Sequence, residues 1–234
     1  MIFSNSLKNI SKIGIGDIIA NGISAIFWFY LASSMLPAEY GHIHYLRSFA
    51  AIAATVSTVG AQNVIVVYIS KNKNVTSTLF FVSLTFSIIS CLILFLIFNK
   101  FEIGLLAIGM MIFTHGIASN LGNKNFSKYA IYSILQKIIM ALLSISFYYF
   151  LGIDWILLGI ALSYFVYIKL FIKYLKKFKI ELKELKINKK FILESYFLML
   201  TNMVTTQMDK LLITPILGLA ILGNYSLAIQ VIAI

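Results

Sequence analysis

Residues 77–98 read STLFFVSLTFSIISCLILFLIF and carry no charged side chain. A helix needs about 20 apolar residues to cross the hydrocarbon core of a bilayer. Similar stretches lie on either side, and together they predict spans at 13–36, 43–69, 77–98, 103–122, 129–151, 153–175, 191–214 and 219–234. The composition agrees, because 60% of the residues are hydrophobic and 12% are charged, against about 25% charged in soluble proteins.

The spans are predicted to be helices. Transmembrane strands run about 9–11 residues and alternate in polarity, and within lipid a helix satisfies its own backbone hydrogen bonds. The fold class is therefore an all-α polytopic transmembrane bundle. We expect a six-helix lobe over 1–175, a basic cytoplasmic linker over 176–190 and the start of a second lobe over 191–234. The last span ends without a closing charge, so the second lobe is expected to be incomplete.

Lysine placement predicts the orientation. Positive charge is concentrated in alternate connections, and such a bias marks the cytoplasmic side. We therefore expect a protein of the cytoplasmic membrane with its N-terminus inside. The lysines concerned are Lys8, Lys12, Lys71, Lys73, Lys124, Lys128 and nine between positions 169 and 190.

The net charge of +11 does not indicate nucleic-acid binding, since topology accounts for the cytoplasmic lysines. Between 169 and 190 apolar residues also recur at spacings of three and four, among them Phe171, Leu175 and Phe178. This pattern predicts an interfacial helix on anionic lipid headgroups. The topology signal and the interfacial helix are compatible. We expect membrane lipids as a partner.

Two tight turns suggest an internal repeat. Gly41 follows the first span and Gly223 the seventh, 182 residues later. Six spans separate the two starts, so the halves would share one orientation, as in parallel transporter repeats. The chain would then hold one complete lobe and the beginning of another.

Several motifs resemble those of polysaccharide (O-antigen type) flippases. Leu36-Pro37-Ala38-Glu39-Tyr40-Gly41 resembles the turn after their first span, and Gly60 with Tyr68-Ile69-Ser70-Lys71 their second-span ending. Met208–Ile213 followed by Leu222-Gly223-Asn224-Tyr225 resembles their seventh-span pattern. The resemblance implies one lobe of a two-lobe fold like that of multidrug exporters. It also implies transfer of lipid-linked oligosaccharides across the membrane through a cavity lined by spans one, two, seven and eight.

Charged residues inside spans are costly and usually face a cavity or a partner. In the resembled fold, Arg47 and Lys210 would approach each other from opposite lobes and hold the substrate's pyrophosphate. The full set of candidate substrate-binding residues is Asp17, Arg47, Gln62, Asn63, Lys137, Asp209 and Lys210.

Each candidate has a simpler alternative. Asp17 could be interfacial, Arg47 and Lys210 could reach the outer headgroups, Lys137 could satisfy carbonyls, and Asp209 could only pair with a cation. His42 and His44 are expected at the wet outer interface.

The sequence does not favour an enzyme. It carries no phosphate-binding loop of the ATPase type, no nucleophile elbow and no spacing typical of metal ligands. The lone Cys91 cannot form an intrachain disulfide. We therefore expect no catalytic residue, metal or cofactor. The alternatives from other classes are a membrane-embedded polysaccharide polymerase or glycosyltransferase, and a non-transporting membrane scaffold. Self-association could supply the missing lobe.

Overall fold

The computed structural model of the chain describes residues 2–71, 76–176 and 189–232. These residues are almost entirely helical, which confirms the predicted all-α helix bundle. Short 3₁₀ turns at Ile153–Trp155 and Tyr164–Tyr167 flank the seventh helix. The α-helices are α1 (Ile2–Ser34), α2 (Pro37–Thr58), α3 (Ala61–Ser70), α4 (Thr76–Phe98), α5 (Phe101–Gly122), α6 (Phe126–Leu151), α7 (Ile156–Ser163), α8 (Ile168–Lys176), α9 (Lys189–Leu217) and α10 (Leu219–Ile232).

Membrane-spanning stretches dominate the first part of the chain. Among the described residues, five are long and apolar enough to cross a bilayer: Ser11–Ser34, Thr76–Phe98, Phe101–Gly122, Phe126–Leu151 and Ile153–Lys176. The pair α2 and α3 makes a sixth if it is counted as one bent span. These stretches correspond to the first six predicted spans.

The second span is not the single helix predicted over 43–69. It begins earlier, at Pro37, and breaks after Thr58, where α3 turns away by 43°. Val59 and Gly60 at the break have φ angles of 49° and 73°, which a right-handed helix cannot contain. Backbone groups freed in a membrane need new partners, and the buried Ser83 hydroxyl donates to the Thr58 carbonyl at 3.2 Å.

The last two predicted spans differ from the first six. Helix α9 covers 191–214 and has 29 residues, but it is not among the apolar spans because it carries charged and amide side chains. Helix α10 is apolar and has only 14 residues. Of the predicted interfacial helix over 169–190, α8 and the first residues of α9 are described, and residues 177–188 lie outside the described part.

The core of the bundle lies between α1, α2, α5, α6 and α7. Small residues allow these helices to approach closely; a Cβ on Gly159, for example, would lie 2.6 Å from the Ser144 backbone. Helices α9 and α10 pack against α2, with α9 also touching α3. The predicted domain boundaries at 175 and 190 stay a prediction. The largest fully buried side chains of the core include Phe27, Trp28, Leu31, Tyr40, Ile43 and Leu106.

Candidate functional site

A polar cavity of about 420 Å³ lies between α1, α2, α3, α5, α6 and α9. It falls near the middle of α1, α5 and α9, at the C-terminal part of α2 and toward the N-terminal part of α6. Its wall combines amides and hydroxyls with seven apolar side chains. The lining residues are Asp17, Ala20, Asn21, Ala51, Ala54, Thr55, Thr58, Gln62, Met110, Phe113, Thr114, Ser133, Gln136, Lys137, Tyr164, Met199, Asn202, Met203, Thr206 and Gln207.

Three of the predicted site residues line this cavity, namely Asp17, Gln62 and Lys137. Asn63 follows Gln62 on α3 but does not line it. Asp17 accepts a hydrogen bond from the Tyr129 hydroxyl of α6 at 2.9 Å. This hydrogen bond connects α1 to α6 at the end of the cavity that is nearer the N-terminus of α6.

Lys137 is the cation of the cavity wall. Within the part of the chain that the structure describes, its amine makes no ion pair and no hydrogen bond. A cation inside a membrane protein is costly without a partner, so this amine is available to an anionic ligand. The alternative in which Lys137 satisfies backbone carbonyls receives no support from these contacts.

Arg47 lies beside the cavity and does not line it. Its guanidinium carbon is 5.3 Å from the centre of the Trp28 ring, a distance at which a cation is attracted to the ring face. It is also close to the hydroxyl of Tyr164, a residue of the cavity wall, and within electrostatic range of Lys137 and Lys210.

Asp209 and Lys210 lie on α9, outside the cavity lining. The Asp209 carboxylate accepts a hydrogen bond from the Tyr225 hydroxyl of α10. The Lys210 amine donates to the Thr206 carbonyl of its own helix at 3.0 Å and contacts Gln207 at 3.4 Å. Among the described residues, Asp209 forms no ion pair with Arg47 or with Lys210.

Sequence reasoning missed most of the neutral polar wall. Gln136 is fully buried, donates to the Ser163 hydroxyl at 2.9 Å and leaves its carbonyl oxygen without a partner among the described residues. Asn21, Asn202 and Gln207 also line the cavity. The sequence feature that could have identified these residues is an amide side chain inside a predicted span, because such side chains form hydrogen bonds between helices.

The expectation for His44 was wrong. Its side chain is 5% exposed and does not lie at a wet interface. It lies between Trp28 and Tyr40, with ring-centre distances of 4.5 Å and 4.6 Å. The reason is that α10 covers this part of α2, and a sequence that is read span by span does not show this contact.

Comparison with known proteins gives one result. Residues 6–103 match the family described as Polysaccharide biosynthesis protein. Over this segment the chain is similar to that family. The match supports the predicted relation to polysaccharide flippases, while the likeness to multidrug exporters stays a prediction. No curated protein and no solved structure matches the chain.

The described residues hold no group of three or more His, Cys, Asp or Glu side chains that could bind a metal ion. The site is accordingly built from a lysine, a carboxylate, amides, hydroxyls and aromatic rings. Such a set can bind an anion and many hydroxyl groups at once.

Proposed function

We propose that this protein carries lipid-linked oligosaccharides across the cytoplasmic membrane by alternating access. The observation that supports this most is a polar cavity inside an apolar bundle, with the unpaired Lys137 amine in its wall. A purely structural membrane bundle gains nothing from such a cavity, because polar groups in spans are costly.

The chemistry of the wall suits the two polar parts of this substrate. A pyrophosphate entering a low-dielectric region needs fixed positive charge, which Lys137 supplies within the cavity and Arg47 beside it. The amides and hydroxyls from α1, α3, α6 and α9 suit sugar hydroxyls, which both donate and accept hydrogen bonds.

Two features support alternating access. The cavity lies on the side of the predicted cytoplasmic half of α1 and α6, and residues 37–50 of α2 do not line it. This arrangement suits a state that opens to the inside. The contact of α2 with α10 supports a parallel repeat, since Gly41 packs on Leu219 and Gly223 packs on Pro37. At the 182-residue offset, Gly41 corresponds to Gly223 and Pro37 corresponds to Leu219. The two contacts are therefore equivalent, as they are across a two-fold axis.

The test is a complementation assay with the complete reading frame that contains this chain. Lys137→Gln should abolish surface polysaccharide and leave the lipid-linked precursor inside the cell. Lys173→Gln, an exposed lysine of α8 that does not line the cavity, is the matched control and should complement fully. Membrane levels of each variant are measured alongside.

Three outcomes separate the candidates. Accumulation of the finished precursor on the inner side supports a flippase. Precursor that reaches the outside but is not lengthened would favour a polymerase. Full complementation by Lys137→Gln would show that the cavity lysine is not needed for transport and would contradict the proposed role of the cavity.

A further inference from the structure

We propose that Trp28, Tyr40, His44 and Arg47 form a second, outer binding subsite for the sugar-phosphate part of the substrate. In this structure α10 closes the subsite. The inference rests on the proposed function, and it adds a second binding site between the cavity and the outer surface.

The subsite begins as a stripe along one face of α2. Tyr40, His44 and Arg47 are spaced by four and three residues, so they lie one above another on the helix. The same face continues inward through Ala51, Ala54, Thr55 and Thr58, all of which line the cavity. Arg47 is therefore the link between the cavity and the aromatic cluster.

The cluster is packed but its polar atoms are not satisfied. Trp28 and Tyr40 are 1% and 2% exposed. Among the described residues, the Tyr40 hydroxyl, His44 Nε2 and Arg47 Nε have no hydrogen-bond partner. Buried polar atoms are normally paired, so three in one cluster require an explanation.

The opposite helix adds a fourth such atom. The Ser226 hydroxyl of α10 is 3% exposed and also lacks a partner among the described residues. Ser226 is displaced from His44 by the same 182 residues that relate Gly223 to Gly41. Unsatisfied donors and acceptors thus occur at equivalent positions of the two contacting helices, one turn inward from the glycine contact.

The composition of the cluster indicates the ligand. Flat aromatic side chains present apolar faces with polar tips, and a guanidinium binds phosphate oxygens in a fork. Sugar rings joined to a phosphate offer the complementary surfaces, namely apolar ring faces, hydroxyls and negative charge.

The glycine contact explains why the subsite is closed. A Cβ on Gly41 would lie 2.0 Å from the Leu219 carbonyl oxygen, and a Cβ on Gly223 would lie 2.0 Å from the Pro37 carbonyl oxygen. The two backbones touch only because neither residue has a side chain. Replacing either glycine should force α10 away from α2 and expose the cluster.

Trp28 is a built-in reporter. The chain has two tryptophans, and Trp155 lies in the turn before α7 beside Phe101, so Trp155→Phe leaves Trp28 as the fluorophore. In detergent, acrylamide should quench Trp28 poorly in this background and several-fold more strongly after Gly41→Ala or Gly223→Ala. Gly22→Ala, which meets no atom within 4 Å, is the control and should leave the quenching of Trp28 unchanged.

Binding is then measured with inorganic pyrophosphate and, separately, with a neutral disaccharide. Either probe should protect Trp28 from acrylamide in the Gly41→Ala protein. Arg47→Gln should weaken the pyrophosphate protection about tenfold, which corresponds to one lost ionic contact of about 1.4 kcal/mol. Tyr40→Phe removes a single buried oxygen without disturbing the fold, and it should weaken disaccharide protection while leaving thermal stability equal or higher.

A variant of the cavity lysine separates the subsite from the cavity. Lys137→Gln should abolish transport and leave the protection of Trp28 intact. The subsite is disproved if both glycine variants stay folded by circular dichroism and Trp28 stays shielded. It is also disproved if Arg47→Gln and Tyr40→Phe do not change protection, since the unpaired atoms would then serve only internal water. If glycine replacement unfolds the protein, Tyr40→Phe and Arg47→Gln are compared by transport, which each should reduce at unchanged membrane level.

Discussion

Alanine variants of three glycines separate the two costs of replacing Gly60 at the break between α2 and α3, namely the backbone cost and the packing cost. Gly22 has an ordinary helical φ and meets no atom within 4 Å. Gly152 has a φ of 96° and also meets nothing. Gly60 has a φ of 73°, and a Cβ there would lie 2.8 Å from the Tyr196 nitrogen and 3.1 Å from the Ile192 carbonyl oxygen of α9.

The expected free energies follow from these contacts. Gly22→Ala should stabilise by up to about 1 kcal/mol, since alanine is favoured within a helix. Gly152→Ala should destabilise by about 1–3 kcal/mol because of its backbone conformation. Gly60→Ala carries a similar backbone cost and a further cost of about 1–3 kcal/mol for forcing α9 outward, so about 2–6 kcal/mol in total.

The assay is thermal unfolding in one detergent, followed by circular dichroism and by the half-life at a fixed temperature. The order of stability should be Gly22→Ala, then the parent, then Gly152→Ala, then Gly60→Ala. A Gly60→Ala protein as stable as Gly152→Ala would show that α9 does not rest on the break. A Gly60→Ala protein as stable as the parent would contradict the left-handed turn itself.

Four further predictions follow from the same contacts. Thiol cross-linking of the pair Ala38→Cys and Ala220→Cys, which flanks the glycine contact, should stop transport, and reduction of the link should restore it; transport that continues in the linked protein would show that α2 and α10 need not part. Lys137→Arg should keep part of the activity if positive charge suffices, and activity equal to Lys137→Gln would mean that the shape of the ammonium group is needed. Asp154→Asn breaks the exposed ion pair with Lys100 and should change stability by less than about 1 kcal/mol, as checked by the unfolding midpoint. A cysteine at Ala38 should react with an impermeant reagent outside intact cells and one at Lys183 should not; the reverse pattern would overturn the predicted orientation.

Much of the bundle could be predicted from apolar length alone. The stretches at 77–98 and 103–122 became α4 and α5 because nothing in their surroundings competes with a helix that fills a bilayer. The break in α2 could not be predicted in this way. Val59 carries no breaker signal, and the contacts that Ser83 and α9 make with the turn are tertiary features that the sequence does not reveal.

The candidate site could likewise be predicted only in part. Lys137 was a candidate because a charge within a span is rare, and Asp17 was found for the same reason. Gln136 and the cluster around His44 were missed, since their importance lies in which atoms remain unpaired after packing. The glycines at 41 and 223 were noted as a repeat, but their direct contact is a tertiary feature that the spacing does not reveal.

The central claim is tested most directly by measuring the transfer of a fluorescent lipid-linked oligosaccharide between leaflets. Membrane vesicles from cells that express the complete reading frame are compared with vesicles that carry Lys137→Gln and with the Lys173→Gln control. The account predicts transfer in the parent and the control, no transfer above background with Lys137→Gln, and an oligosaccharide of unchanged length. Equal transfer in all three, or none in the parent, would contradict it.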